Sequence, residues 1–219
     1  MPDQPLNPGA TVLALDTTSQ YGSIAILGRG ALVEELELDE PAGFAHVLYG
    51  HLEALLSRHR LSLADFDCFA AASGPGSFTG VRVGLACVKG LAEATAKPAV
   101  AVSNLRALAS LGTAPLRAAV IDARRGEIYG AVYDACGRAV MPEVTAKLRD
   151  WLAAIPPEAE LIAAGTIDLD RPRLVRVRSL AAAVARIAAE ALARGEAADP
   201  AALDANYVRR SDAELFWKE

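Results

Sequence analysis

The stretch with the clearest potential for chemistry is SGPGSFTGVRVGLACVKGLAEA, which covers residues 73–94. The glycines Gly74, Gly76 and Gly80 precede a segment with a helical pattern. Backbone N–H groups at the start of a helix bind anions, so a phosphate-binding loop is one interpretation. Neither the Walker spacing nor the dinucleotide spacing is present, because no lysine precedes Lys89 and a proline separates the first two glycines. A tight turn that caps the helix is the other interpretation.

Metal-binding and nucleophilic patterns are weaker. Cys68, Cys87 and Cys136 are scattered without the spacing of a zinc site or a disulfide framework. His46, His51 and His59 are five and eight residues apart, and so they do not form the i, i+4 pair that grips a metal on one helix face. We therefore expect no metal site.

Two serines are candidate nucleophiles for a peptidase. Neither Ser73 nor Ser77 lies in the Gly-x-Ser-x-Gly pattern of a nucleophile elbow. A peptidase also needs a base and a group that orients it, and the sequence identifies neither. We retain the peptidase as the last of the alternative functions.

The helical segment 81–94 is apolar on most of its surface. Its charged residues are Arg82, Lys89 and Glu93, which form one narrow stripe. A surface helix needs an apolar face of only about 100°, so this helix must be covered on more than one side. Either the protein's own core or a partner could provide the second cover, and the sequence leaves both open.

The surrounding elements predict an α/β protein. Strand patterns at 12–16, 22–27 and 31–38 form a meander, followed by a helix at 44–60, a strand at 68–72, the glycine loop with its helix, and a strand at 99–102. Residues 116–122, 127–133 and 160–164 predict further strands, and 145–154 and 179–195 predict helices. This order indicates two similar halves, 1–103 and 104–219, with the C-terminal segment able to pack back on the first half.

The composition is that of a globular protein with an acidic balance. Of its 219 residues 53% are hydrophobic and 22% are charged, and the formal net charge is -5. This charge disfavours a protein that binds nucleic acid by itself, since affinity for phosphate backbones comes from Lys and Arg. The N-terminus has no signal-peptide pattern, and no apolar run approaches a membrane span. We expect a cytoplasmic protein with no membrane partner.

Four pieces of the sequence together resemble one protein family. LALDTTSQYGSIAI (residues 13–26) is similar to the family's opening hairpin, and SGPGSFTGVRVGLACVKGLA (73–92) to its most distinctive motif. IDARRGEIYGAVYD (121–134) is similar to its central strand pair, and YVRR (207–210) to its terminal element. In this order they resemble the TsaB (YeaZ) family of bacterial tRNA threonylcarbamoyladenosine biosynthesis proteins.

The resemblance implies an actin-like, Hsp70-like fold of the ASKHA or ribonuclease H-like class, with two related βββαβα-type halves. Proteins of this class hold a nucleotide between phosphate loops of the two halves. The candidate residues for nucleotide or anion binding are Asp16, Thr17, Thr18, Gly74, Gly76 and Ser77. The nearest equivalent in the second half, residues 163–166, has only one glycine. We therefore expect no tightly bound cofactor, and ATP or ADP only in a larger complex.

The resemblance also implies a non-catalytic role. The catalytic relative TsaD carries a His-x-x-x-His pair on a helix, and Asn104 and Leu108 stand at the aligned positions. Leucine cannot bind a metal, and asparagine is a poor replacement for histidine. The chain is thus expected to support TsaD in forming N6-threonylcarbamoyladenosine (t6A) next to the anticodon, without intrinsic activity. An actin-like ATPase or small-molecule kinase that uses Asp16 is the alternative.

The partners implied by the resemblance are TsaD in a heterodimer, the ATPase TsaE, tRNA through the complex, and a second copy of the chain when TsaD is absent. The family's pairing surface lies on the two helices of the first half. The residues predicted to form it are Leu48, Leu52, Leu55, Val81, Leu85 and Val88. Arg124 and Arg125, in a predicted hairpin turn, could contact an anion or tRNA, or could simply be solvated.

Overall fold

The computed structural model describes residues 9–164, 167 and 174–209, without the side chains of 174–176. Chain contacts divide the described residues into two compact units. The first unit contains residues 9–73, Ser77–Val102 and Ser179–Ala205. The second contains Gly74–Gly76, residues 103–164, 167, 174–178 and 206–209.

The first unit is built on a five-stranded mixed sheet. Its elements are β1 (Val12–Asp16), β2 (Tyr21–Gly28), β3 (Ala31–Asp39), α1 (Leu48–His59), β4 (Cys68–Ala72), α2 (Phe78–Thr95) and β5 (Ala99–Val102). The strand order is β3-β2-β1-β4-β5. β1 pairs antiparallel with β2 and parallel with β4. Every residue of β1 and β4 is buried, as expected for central strands that are covered on both faces.

The second unit repeats this scheme. Its elements are α3 (Asn104–Ala109), β6 (Leu116–Arg124), β7 (Glu127–Asp134), β8 (Ala139–Lys147), α4 (Leu148–Ala154), β9 (Glu160–Ala164) and β10 (Leu174–Val177). The strand order is β10-β9-β6-β7-β8, with β6 antiparallel to β7 and parallel to β9. Each sheet therefore starts with a meander and adds two parallel strands, which confirms the predicted α/β fold with two related halves.

The last helix returns to the first unit. α5 (Ala181–Ala193) is rich in alanine, and eight of its thirteen residues are buried. It packs on β1, β2 and β4. Its first turn is capped from β2 and β3, because the buried hydroxyl of Ser23 on β2 accepts the Ala181 N–H at 3.0 Å and Glu35 on β3 accepts the Ala182 N–H at 3.0 Å. Small alanine side chains let this helix approach the sheet closely.

The prediction that six leucine and valine side chains present apolar surface to a partner is wrong. Leu48, Leu52, Leu55, Val81, Leu85 and Val88 are at most 6% exposed and belong to the core of the first unit. The physical reason is that α2 packs on β4 and also contacts the 3-10 turn Pro200–Ala202, while the α1 leucines enter the same core. The apolar second face of α2 is thus covered by the unit itself.

The predicted helix at 145–154 is wrong in its first three residues. Thr145–Lys147 end the edge strand β8, and the helix begins at Leu148. Pro142 lies within β8, where an edge strand tolerates it because one side of the strand donates no ladder hydrogen bonds. In the described part of the chain, no helix combines the length and apolarity needed to cross a membrane.

Candidate functional site

The loop after β1 and the start of α2 lie against each other in the first unit. The Thr17 hydroxyl donates to the Gly80 carbonyl at 2.7 Å, and the Ser77 N–H donates to the Thr18 carbonyl at 2.6 Å. The structure therefore brings together four of the predicted site residues, Asp16 to Thr18 and Ser77. These contacts are made by short side chains and backbone, so the two segments are fixed at close range.

Two glycines permit this approach. A Cβ atom on Gly80 would lie 2.0 Å from the Thr17 carbonyl oxygen, and one on Gly84 would lie 2.6 Å from the Thr17 hydroxyl. Both glycines occupy the face of α2 that meets the loop, and both are buried. The glycine spacing of the motif thus has a packing explanation at these two positions.

Asp16 is the buried carboxylate of the loop. Its Oδ1 accepts the Thr18 N–H at 2.9 Å and the Thr18 hydroxyl at 2.6 Å. Burial raises the pKa of Asp16, and the hydrogen bonds from Thr18 offset part of that effect. A buried carboxyl group in a turn can serve as a structural hydrogen-bond acceptor. If a ligand reaches it, it can also bind a cation or accept a hydrogen bond from a hydroxyl group.

The start of α2 uses its polar groups internally. Ser77 is the N-cap residue, and its hydroxyl accepts the Gly80 N–H at 3.3 Å. The Ser77 N–H is itself bound by the Thr18 carbonyl. Two donors that an anion would need are therefore occupied by protein acceptors, and carbonyl oxygens repel anions. Anion binding by these residues stays a prediction.

Gly74 and Asn104 form a reciprocal pair in the second unit. The Gly74 N–H donates to the Asn104 Oδ1 at 2.8 Å, and the Asn104 N–H donates to the Gly74 carbonyl at 2.8 Å. Asn104 is 2% exposed and Leu108 is fully buried. Asn104, which the resemblance places at a histidine position of TsaD, thus anchors the Gly74 loop, and Leu108, placed at the other position, lies in the core.

A polar network centred on Glu143 escaped the sequence analysis. Its carboxylate accepts the Tyr133 hydroxyl at 2.7 Å, the Asn206 side-chain amide at 2.7 Å and the Ser103 hydroxyl. Burial and the Glu143 carboxylate raise the pKa of Tyr133, which keeps the phenol protonated. These residues are up to about a hundred positions apart in sequence, so no local pattern could have revealed the network.

The histidines pair with acidic side chains of the first unit. His51 Nε2 lies 3.2 Å from Glu40 Oε1, and His59 Nε2 lies 2.6 Å from Glu34 Oε2. A peptidase that used Ser77 as its nucleophile would need a base beside it. Neither of these histidine contacts involves Ser77, whose hydroxyl caps α2. Within the described ranges, no group of three or more His, Cys, Asp or Glu side chains could hold a metal ion. Of the residues 163–166, Gly165 and Thr166 lie outside the described residues.

The outward side of α1 and α2 carries small and aromatic residues. Tyr49 is 62% exposed, and its hydroxyl bonds to the sulfur of Cys87, which links the two helices. We define the α1–α2 outer surface by seven exposed residues, Tyr49, Gly50, Ala54, Phe78, Arg82, Ala86 and Gly90, and the Arg82 guanidinium lies 3.8 Å from the centre of the Phe78 ring. A Cβ atom on Gly50 or Gly90 would meet nothing within 4 Å. This surface could admit another helix at short range.

Comparisons with known proteins identify the family and the fold of the chain. Residues 43–206 match the family model described as TsaD, tRNA N6-adenosine threonylcarbamoyltransferase. A crystal structure from Pseudomonas aeruginosa, described as similar to peptidase YEAZ, is 30% identical, with a TM-score of 0.79 over 91% of this chain and 100% of that one. The chain belongs to the TsaD family, in its TsaB (YeaZ) branch. The actin-like fold that the resemblance implied is thereby confirmed.

Other members of the branch extend the comparison. YeaZ from Pseudomonas aeruginosa is 29% identical, with a TM-score of 0.75 over 90% of this chain and 99% of that chain. The tRNA threonylcarbamoyladenosine biosynthesis protein TsaB of Haemophilus influenzae is 39% identical over 125 residues, which are 54% of this chain and 52% of the relative. Alignments with the curated TsaB relatives span between about half and about two thirds of their length.

Proposed function

We propose that the chain is a non-catalytic partner of TsaD in the formation of t6A on tRNA. Membership of the TsaB (YeaZ) branch supports this assignment, since relatives in the branch are named for t6A biosynthesis. The observation that supports a non-catalytic role is the structural role of Asn104 and Leu108. The first anchors Gly74 and the second fills a core, so neither is available to bind a catalytic metal.

The α1–α2 outer surface is the proposed contact with TsaD. The buried leucines and valines shape the two helices but cannot touch a partner, which moves the contact to the residues between them. Small side chains at Gly50, Ala86 and Gly90 would allow a partner helix to pack closely, and Tyr49 and Phe78 would supply apolar area. The same surface would pair two copies of the chain when TsaD is absent.

Charged substitutions on this surface test the proposal. Ala86→Glu places a carboxylate in the middle of the outer surface at an exposed helical position, where the fold of the isolated chain tolerates it. Ala193→Glu is the matched control, because Ala193 is an exposed alanine of α5. Co-purification with TsaD of the same organism and size-exclusion chromatography should show loss of the complex with Ala86→Glu alone. Retention of the complex by Ala86→Glu would remove the proposed contact.

Nucleotide binding is proposed only for the assembled complex with TsaD and TsaE. In the first unit the loop donors at α2 are occupied by protein acceptors, which supports weak or no binding of ATP by the chain alone. Calorimetry on the isolated chain should detect no tight ATP binding. Micromolar affinity would instead favour the alternative, an actin-like ATPase or kinase that uses Asp16.

A further inference from the structure

The polar network at Glu143 joins segments of the second unit that are far apart in the chain. Glu143 lies on β8, and its carboxylate accepts from the Tyr133 hydroxyl on β7 and from the hydroxyl of Ser103, the N-cap residue of α3. The third donor is the side-chain amide of Asn206, whose nitrogen lies 2.7 Å from Glu143 Oε2. These three donors are neutral groups, and a charged acceptor makes each of the hydrogen bonds stronger.

A β-bulge lies at Glu143. The register between β7 and β8 shifts between Gly130 and Val132, so that Pro142 and Glu143 together oppose one residue of β7. An extra residue of this kind changes the direction of a side chain locally, and bulges are frequent next to functional sites. Glu143 therefore reaches the network from an irregular part of the strand.

Asn206 connects Glu143 to the glycine loop. Its side-chain nitrogen, which can donate twice, lies 2.7 Å from Glu143 Oε2 and 3.3 Å from the Gly74 carbonyl oxygen. The same carbonyl accepts the Asn104 N–H at 2.8 Å, and the Gly74 N–H donates to Asn104 Oδ1 at 2.8 Å. Both backbone polar groups of Gly74 are therefore bound, and Asn206 links this glycine to the carboxylate.

The glycine loop leads directly into α2. Gly76 is followed by Ser77, the N-cap residue of α2, and then by Phe78, its first residue. Phe78 is 48% exposed and belongs to the α1–α2 outer surface. Because only residues 75–77 separate Gly74 from Phe78, the position of Gly74 restricts where the helix begins.

We infer that Asn206 is a positioning residue for the proposed contact with TsaD. It holds the glycine loop through the Gly74 carbonyl while Glu143 fixes its amide, and in this way it sets the first turn of α2 in the α1–α2 outer surface. A surface that is already ordered loses less conformational freedom when a partner binds, so release of the loop lowers the affinity for TsaD. The inference rests on the proposed function, because it concerns the same contact.

An exchange of the two polar groups tests the pair. Asn206→Asp removes the amide donors and places a second carboxylate against Glu143 and the Gly74 carbonyl. When Asn206→Asp is combined with Glu143→Gln, one carboxylate and one amide face each other again with their places exchanged, and Glu143→Gln alone completes the double-mutant cycle. Calorimetry measures the Kd for TsaD of the same organism. Asn206→Asp should weaken binding about tenfold, and the double variant should recover to within about threefold of the wild type.

Two controls separate positioning from charge and from stability. Ala202→Asp adds the same charge at an exposed position of the same terminal segment, and it should bind TsaD as the wild type does. Ser23→Ala removes the cap of α5 and lowers the urea midpoint, but it should keep its affinity for TsaD. The inference is overturned if Asn206→Asp keeps its affinity, if either control loses affinity equally, or if Glu143→Gln does not repair the loss.

A further variant covers a failure of Asn206→Asp to fold. If Asn206→Asp shows no cooperative urea transition, Asn206→Ala takes its place, since it removes the donors without adding a charge. A loss of about tenfold in affinity for TsaD then supports the inference, and an affinity within about twofold of the wild type overturns it.

Amide hydrogen exchange separates this inference from the proposed function. In the isolated chain, the peptide that covers residues 73–80 should exchange faster in Asn206→Asp and regain its protection in the double variant, because Gly74 is held by the same network. If TsaD binds the wild type and all variants equally, the proposed function stands and the inference fails. If the wild type does not bind TsaD, the proposed function fails. Exchange in this peptide then decides the positioning of the loop, which faster exchange in Asn206→Asp supports and unchanged exchange overturns.

Discussion

Asp16 shows how burial sets the energetics of a single side chain. Its carboxylate is 2% exposed and is served only in part by the donors of Thr18. Burial raises its pKa, so the folded protein holds the proton to a higher pH than the unfolded chain does. Over that interval the unfolded state binds fewer protons, and the free energy of unfolding falls as the pH rises.

The Asp16→Asn variant should make this linkage measurable. Asparagine keeps an acceptor for Thr18, and its side chain does not titrate in this pH range. The stability of the variant relative to the wild type should therefore improve as the pH rises from about 4 to about 7.5. Urea unfolding at both pH values gives the difference. A difference that stays constant with pH would contradict the assignment of a raised pKa to Asp16.

Gly80 should be intolerant of any side chain. Gly80→Ala places a Cβ atom against the rigid backbone of Thr17, and we expect a loss of about 2–3 kcal/mol or more in the free energy of unfolding. The matched control is Gly90→Ala in the same helix, where the space is open. This change should gain about 1 kcal/mol from helix propensity. Equal effects of the two substitutions in urea unfolding would refute the close contact.

For individual residues, the sequence predicts the positions of the functional candidates better than their roles. The glycine motif and the loop at Asp16 indicated a close meeting of backbone segments, and the structure joins Thr17 to Gly80. The partners of Glu143 could not be foreseen, because Tyr133 and Asn206 reach it through the tertiary fold. Local spacing carries information on turns and helix faces but none on which distant donors converge.

Most secondary-structure elements follow their hydrophobic patterns, but the sequence predicts neither α3 nor the edge strand β8. The sequence predicts no element at residues 139–144 of β8 and a helix at its last three residues, because Pro142 and mixed polarity obscure an edge strand whose residues are at most partly buried. The sequence predicts a partner contact for the apolar residues of α1 and α2, because a helix pattern indicates how much surface must be covered. It does not report whether the cover is the sheet, a neighbouring helix or another chain.

The cap of α5 should be a measurable contribution to the first unit. Ser23 lies on β2, is fully buried and accepts the first N–H of the helix. Ser23→Ala leaves that donor without its acceptor, and the expected cost is about 1–2 kcal/mol of stability. Ser57→Ala, at an exposed position of α1, is the control and should change stability by less than about 0.5 kcal/mol. Comparable losses in both variants would argue against the cap.

For the whole molecule, the chain enters each compact unit more than once, and the longest return is that of residues 179–205 to the first unit. The first unit takes its last helix from residues 179–205, beyond the whole second meander. α5 supplies the cover for one face of β1, β2 and β4, which are buried throughout or almost throughout their length. The sequence predicts two similar halves because the order of strand and helix patterns along the chain partly repeats. The return of α5 depends on packing that periodicity does not encode.

A fragment of residues 1–103 should therefore fail to fold by itself. Without α5, the central strands would expose an apolar face that α5 covers with Val184, Ile187 and a row of alanines. We expect an aggregating or molten fragment, with no cooperative urea transition and strong binding of a hydrophobic dye. The comparison fragment joins residues 1–103 to residues 179–209 through a flexible Gly/Ser linker, and it should recover a cooperative transition. Cooperative unfolding of the shorter fragment would show that residues 1–103 are a complete folding unit, and that α5 is an addition to a sheet already stable without it.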